Sequence, residues 1–134
     1  MTTPASTRET FTVRDVREAI ATPADGIVSR SIYVDDDVRV VLFSFAVGQR
    51  LTDHTAAVPV LIQVVEGEAR IGVAGETVEG RPGTLLHVPA NMAHSIEATT
   101  QLTLLLVMLA RRGASRPTEA RAEASPSTDA EDVA

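Results

Sequence analysis

Three histidines, His54, His87 and His94, are the residues of this chain best suited to hold a metal or to move a proton. An imidazole with a pKa of ~6.5 transfers protons at neutral pH, and its neutral form is a ligand for iron, manganese, zinc, nickel or copper. The chain contains no cysteine, and all twelve of its basic residues are arginine. That composition excludes thiolate nucleophiles, disulfides, cysteine-ligated zinc, Schiff-base lysines and phosphate-loop lysines. A metal-free histidine base would need an acid partner, and none is evident: Tyr33 is the only phenol, and the carboxylates fall mostly in turns. The triplet Asp35-Asp36-Asp37 lacks the alternating ligands and closing glutamate of a calcium loop and reads as a solvated turn.

Two of the histidines stand in stretches of fixed spacing. Gly48 precedes His54 by six residues, with Ala56, Val60 and Gly67 following; Gly83 precedes Pro89 by six, with Asn91, His94 and Ala98 following. Together they resemble the two signature boxes of the cupin superfamily, G-x(5)-H-x-H-x(3,4)-E-x(6)-G and G-x(5)-P-x-G-x(2)-H-x(3)-N. The similar region runs from about Val38 to Met108. The resemblance implies that His54 and His94 point into a barrel mouth and ligate one divalent metal ion, iron, manganese, zinc or nickel. It also exposes departures. Ala56 stands where the box has its second histidine and Val60 where it has glutamate, so half of the expected donors are missing. Asn91 replaces a glycine, and Ala98 the final asparagine. A stable metal site uses three or four protein donors, so His87, Gln63, Asp53 or water would have to complete the shell. His87 is the candidate third ligand or pocket residue, its direction depending on strand alternation. Gln63, three residues after Val60, belongs to the opposite face. Two further readings stay open: the histidines bind a ligand or act as a base without metal, or they are polar residues satisfied by backbone and water.

The elements that must position these residues are strands. Ile27–Val34 and Val38–Val47 are rich in β-branched and aromatic residues and flank the aspartate turn. Segments at 58–65, 69–73, 77–79, 84–88, 95–98 and 102–109 follow, separated by short turns. Seven or eight such strands predict an all-β fold, a jelly-roll or double-stranded β-barrel, with His54 in the loop after the second strand. Thr12-Val13-Arg14-Asp15 has the form of a capping box, and the apolar spacing after it predicts a short N-terminal helix at 13–21. Val60, Ile62, Val64 and Met92 are expected to line the pocket, which makes its ligand small and fairly apolar. The strands at 58–65 and 102–109 are apolar on both faces, and small cupins pair through such faces, so a homodimer is expected.

At 134 residues the chain has the size of one domain. The expected organisation is a disordered N-terminus over 1–8, a single barrel domain over 9–110 and a disordered tail over 111–134, which has no phenylalanine, leucine or isoleucine. A formal charge of −6 and 3% aromatic residues argue against nucleic acid as a partner. The run at 102–109 is far short of the ~20 residues that span a bilayer. No export signal is recognised in MTTPASTRET, so the expected location is the cytoplasm. The expected function is small-molecule binding at a reduced histidine site in the barrel mouth. Its alternatives are a non-catalytic metabolite sensor or accessory protein, or a metal-dependent dioxygenase or isomerase acting on a small organic substrate.

Overall fold

The computed structural model describes residues 10–110, and among them nine strands form two antiparallel sheets. The strands are β1 (Ile27–Val34), β2 (Val38–Phe45), β3 (Arg50–His54), β4 (Val60–Glu66), β5 (Ala69–Val73), β6 (Glu76–Gly80), β7 (Leu85–Val88), β8 (His94–Ala98) and β9 (Leu102–Leu109). One sheet has the order β1-β2-β9-β4-β7 and the other β3-β8-β5-β6. This is the all-β double sheet that the strand pattern predicted. The expectations for 1–8 and 111–134 lie outside the described residues.

Alternation decides what each strand contributes. In β4, Val60, Ile62 and Val64 are buried while Leu61, Gln63 and Val65 are only partly so. In β5, Ala69 and Ile71 turn inward; in β8, His94, Ile96 and Ala98 do so. These residues meet Val41, Phe43 and Phe45 of β2 and Leu102, Leu104 and Leu106 of β9 in one apolar core. Phe43 and Phe45 are tilted against each other with ring centroids 6.3 Å apart. Burying about ten large aliphatic and aromatic side chains contributes roughly 1.5–3 kcal/mol each before the entropy of ordering them is subtracted.

The short N-terminal helix is present in shortened form, and one reading from the sequence is corrected. The N-terminal helix is a single 3₁₀ turn, Val16–Ala19, and its cap is Asp15, whose side chain accepts from the Arg17 backbone N–H at 3.0 Å. None of its residues is buried, so no apolar face sustains a longer helix. The turn belongs to a segment lying on the outer side of the five-stranded sheet, where Arg30 Nη1 donates to the Ala19 carbonyl at 2.6 Å and Phe11 stacks on Tyr33. The correction concerns His54. It ends a strand of its own, β3, which the sequence reading treated as loop because Arg50-Leu51-Thr52-Asp53 lacks a β-branched alternation.

Candidate functional site

β3 and β8 are neighbours at the edge of the smaller sheet, and their pairing brings the two box histidines together. Arg50 lies opposite Glu97, Leu51 opposite Ile96, and His54 opposite His94. Between the last two pairs β3 advances three residues while β8 advances two. The extra residue is a bulge, and a bulge re-aims the side chain that follows it. Strict alternation would have sent Leu51 and Asp53 inward together; instead Leu51 and His54 share the inner side and Asp53 is exposed.

The imidazole rings stand edge to face, their centroids 5.3 Å apart and their planes at 80°. His94 is buried, at 4% exposure, and its Nδ1 lies 3.1 Å from the Met92 carbonyl oxygen. A carbonyl only accepts, so Nδ1 carries the proton and Nε2 keeps its lone pair. Burial pushes the pKa of His54 below its ordinary value, and the neighbouring His94 pushes it the same way. Burial also lowers that of His94, against the opposing pull of the Met92 hydrogen bond and the Asp53 carboxylate. Both rings are therefore neutral near pH 7.

The pair faces a small, partly open cavity of about 30 Å³ between the sheets, enough for a water molecule or two. Leu51, Ile96 and Ala56 line it on the histidine side, and Phe43, Val60, Leu106 and Met108 on the other. Beside Ala56 a backbone clasp, Asn91 N–H donating to the Ala56 carbonyl at 2.7 Å, ties the loop after β3 to the loop before β8. Asn91 holds φ at +66°. That left-handed conformation explains why the box has glycine at this position, and asparagine is one of the few other residues to adopt it readily.

The remaining sequence candidates are distributed around this centre. Val60 lines the cavity. Ile62 and Val64 are fully buried in the core beyond it and are not among its lining residues; Met92 packs at the core margin and contributes its carbonyl rather than its side chain. His87 lies opposite Leu61 on the outward phase of β7 and is exposed, so the candidate third ligand is on the wrong face of the sheet. Gln63 shares that outward phase with His87. The lining residues Phe43, Leu51, Ile96 and Leu106 were not singled out from the sequence; as ordinary aliphatic and aromatic residues they carry no signal until the sheets are stacked.

The donors present do not fit the divalent ion that the resemblance implied. Two imidazoles face the cavity, the rest of its wall is carbon with one thioether, and no carboxylate offsets a double charge. Among the described residues no group of three or more histidine, cysteine, aspartate or glutamate side chains is placed to hold a metal ion.

A family model described as a cupin domain matches residues 41–109. No curated protein matches the chain. Among solved structures, a conserved protein of unknown function from Streptococcus pyogenes is 25% identical with a TM-score of 0.67, the match covering 75% of this chain and 89% of that one. A cupin superfamily protein from Desulfitobacterium hafniense is 23% identical with a TM-score of 0.68, over 75% of this chain and 95% of that one. The salicylate 1,2-dioxygenase of Pseudoaminobacter salicylatoxidans, as a point mutant, is 24% identical with a TM-score of 0.59, over 69% of this chain and 29% of that one.

Proposed function

We propose, on the premise that this chain belongs to the cupin domain family, that it binds a small ligand through the neutral imidazoles of His54 and His94. The observation that carries this reading is the pairing of two half-buried to buried imidazoles, edge to face, on the wall of an otherwise apolar cavity. A polar pair in apolar surroundings is a point of recognition, because any polar atom entering there is dehydrated and exchanges its water hydrogen bonds for one to an imidazole. His94 Nε2, fixed as an acceptor by the bond from Nδ1 to Met92, selects a ligand group that donates. The walls select carbon around that group. The volume limits what fits without motion to a few heavy atoms, and a larger molecule enters by parting the Asn91–Ala56 clasp.

Nothing in this arrangement commits the protein to turnover. No carboxylate lines the cavity and no acid stands opposite the two bases, so the geometry supports binding ahead of proton-transfer catalysis.

The test is nitrogen-detected NMR of the histidine rings in full-length protein during titration with a panel of small alcohols, phenols and amines. Saturable shifts of the His54 and His94 ring nitrogens, absent for His87, are expected. Ligands that shift His87 equally, or that leave the His54 and His94 rings unmoved, would move binding away from the cavity.

A further inference from the structure

The outer face of the smaller sheet, away from the histidine cavity, holds a second concave surface. Register across its four strands sets Arg50 opposite Glu97, Glu97 opposite Arg70 and Arg70 opposite Glu79, a row of alternating charge. The next row sets Ser95 opposite Gly72 and Gly72 opposite Thr77. Together with Thr52 and Asp53 of β3, residues of these rows line a groove of about 320 Å³, within the size range of small-molecule sites. Gly72 stands near the middle of β5. Glycine inside a strand weakens it and marks a bulge, a bend or a place where something approaches the backbone closely. β5 passes through Gly72 with no register shift on either side, and Gly72 is not among the residues with positive φ. No backbone of this chain crowds it either: a Cβ there would meet only the Ser95 Oγ, at 2.7 Å. The strand therefore forgoes a side chain where the groove is, for no reason that its own backbone supplies.

We propose that this groove binds a small zwitterion, an amino acid or a short peptide, with its carboxylate on Arg50 and Arg70 and its ammonium on Glu97 and Asp53. Two arginines and two carboxylates line the groove, so an ion of one sign meets as much repulsion as attraction, whereas a molecule carrying both charges finds a partner for each. The arginines retain donors for it. Arg50 contacts Glu97 through one nitrogen at 3.4 Å, and Arg70 contacts Glu79 through one at 3.3 Å. Both are longer than the ~2.7–2.9 Å of a tight charged hydrogen bond. Arg17, by contrast, grips Asp15 with two side-chain nitrogens at 2.9 and 2.7 Å. A guanidinium carries five N–H donors in a planar fork that matches a carboxylate. The Asp53 carboxylate makes no ion pair or hydrogen bond among the described residues. The hydroxyls of Thr52, Thr77 and Ser95 donate or accept as the rest of the ligand requires. Because the charged side chains are largely exposed, salt screens these contacts and weakens binding.

The experiment is an NMR titration of full-length protein at low ionic strength, following backbone amides and histidine ring nitrogens, with glycine, β-alanine and glycylglycine as ligands and acetate, methylamine and glucose as controls. At least one zwitterion should shift the Arg70, Gly72 and Ser95 amides saturably and bind roughly fivefold or more tightly than any control, the value of one exposed ion pair. The tighter of the amino acids and the peptide fixes the ligand's length. Arg70→Gln and Glu97→Gln, both at the surface and expected to fold, should each weaken it by a similar factor. Gly72→Val combined with Ser95→Ala removes the 2.7 Å contact and fills the groove with a strand-favouring side chain, so the urea midpoint should hold or rise while the shifts vanish. No saturable shift at Gly72 with any of the three zwitterions, controls that bind as tightly as they do, an unchanged affinity in Arg70→Gln and Glu97→Gln, or binding retained by the folded Gly72→Val, Ser95→Ala variant would overturn the proposal. Shifts confined to the His54 and His94 rings would also overturn it, and would leave the reading of the histidine cavity standing.

Discussion

The two ends of the barrel interior are built by the same strands to opposite effect. Toward the turn after β4, Ile62, Val64, Ile71, Leu102 and Leu104 are fully buried. Two residues before Ile62 on β4 the interior opens at Val60, where Met108 and Leu106 of β9 face the two histidines across a cavity. The packed end is closed by backbone against backbone: Gly67, at φ +89°, lies so close to the chain at Gln101 and Leu102 that a Cβ there would run into the Gln101 carbonyl oxygen and come 2.9 Å from the Leu102 Cα. At the open end a backbone hydrogen bond from Asn91 to Ala56 ties the loop after β3 to the loop before β8. The contrast separates two tasks within one core. Aliphatic layers fill the interior around Ile62, Val64 and Leu104, and the imidazole layer proposed for recognition sits where packing is relaxed.

Changes at the packed end should accordingly do the most damage. Gly67→Ala combines a positive φ with a backbone collision that no rotamer relieves, and it is expected to lower stability by more than about 4 kcal/mol or to prevent folding. Urea unfolding measures this, and a loss below ~1 kcal/mol would show that the turn can move aside and that the two ends are equally compliant.

The histidine layer should show itself through pH. Both imidazoles have folded pKa values below the ordinary 6.5, so between those values and 6.5 the unfolded chain binds more protons than the folded one, and stability rises with pH. The metal-free protein should therefore be most stable above pH 6.5 and lose stability as the pH falls below it, levelling off once the folded-state values are passed. The lowered carboxylates do not intrude: Asp15, held down to about 2 by its hydrogen bonds with Arg17, and Asp35, lowered by Tyr33 and the backbone, titrate in a more acid range. Urea midpoints between pH 5 and 8 test this. In the His54→Gln, His94→Gln variant the slope should flatten; a slope that persists unchanged would place its origin elsewhere.

The smallest effect is expected at the clasp. Asn91→Ala forces an ordinary side chain into the left-handed region and should lower stability by roughly 1 kcal/mol, whereas Asn91→Gly should be nearly neutral in stability. Faster exchange of the Asn91 amide in the alanine variant would be the accompanying sign that the mouth has loosened. Equal stability of the alanine and glycine variants would show that the left-handed turn is not held by the fold.

Much of this layout was legible in the sequence because strand alternation and turn chemistry are local. The aspartate turn, the hairpin at Gly75 and the long apolar β9 follow from residue types within a few positions of each other. The short N-terminal helix is present but shorter than 13–21 for a related reason: Val13, Val16 and Ile20 have helical spacing, but the segment buries no stripe of its own and closes as one 3₁₀ turn. β3 escaped notice because Arg50-Leu51-Thr52-Asp53-His54 alternates poorly, its pairing to β8 being what makes it a strand.

By itself the sequence determined that this protein has a β-sheet core, that no chemistry in it passes through cysteine or lysine, and that His54 and His94 stand in stretches of fixed spacing. Those are consequences of composition and of short-range periodicity. Only the tertiary structure decided that a bulge in β3 turns His54 inward to meet His94, that His87 faces solvent, and that Met108 shares their cavity. Each of these depends on the register between strands distant in the chain, and one residue of register is enough to send a side chain to the other face of a sheet.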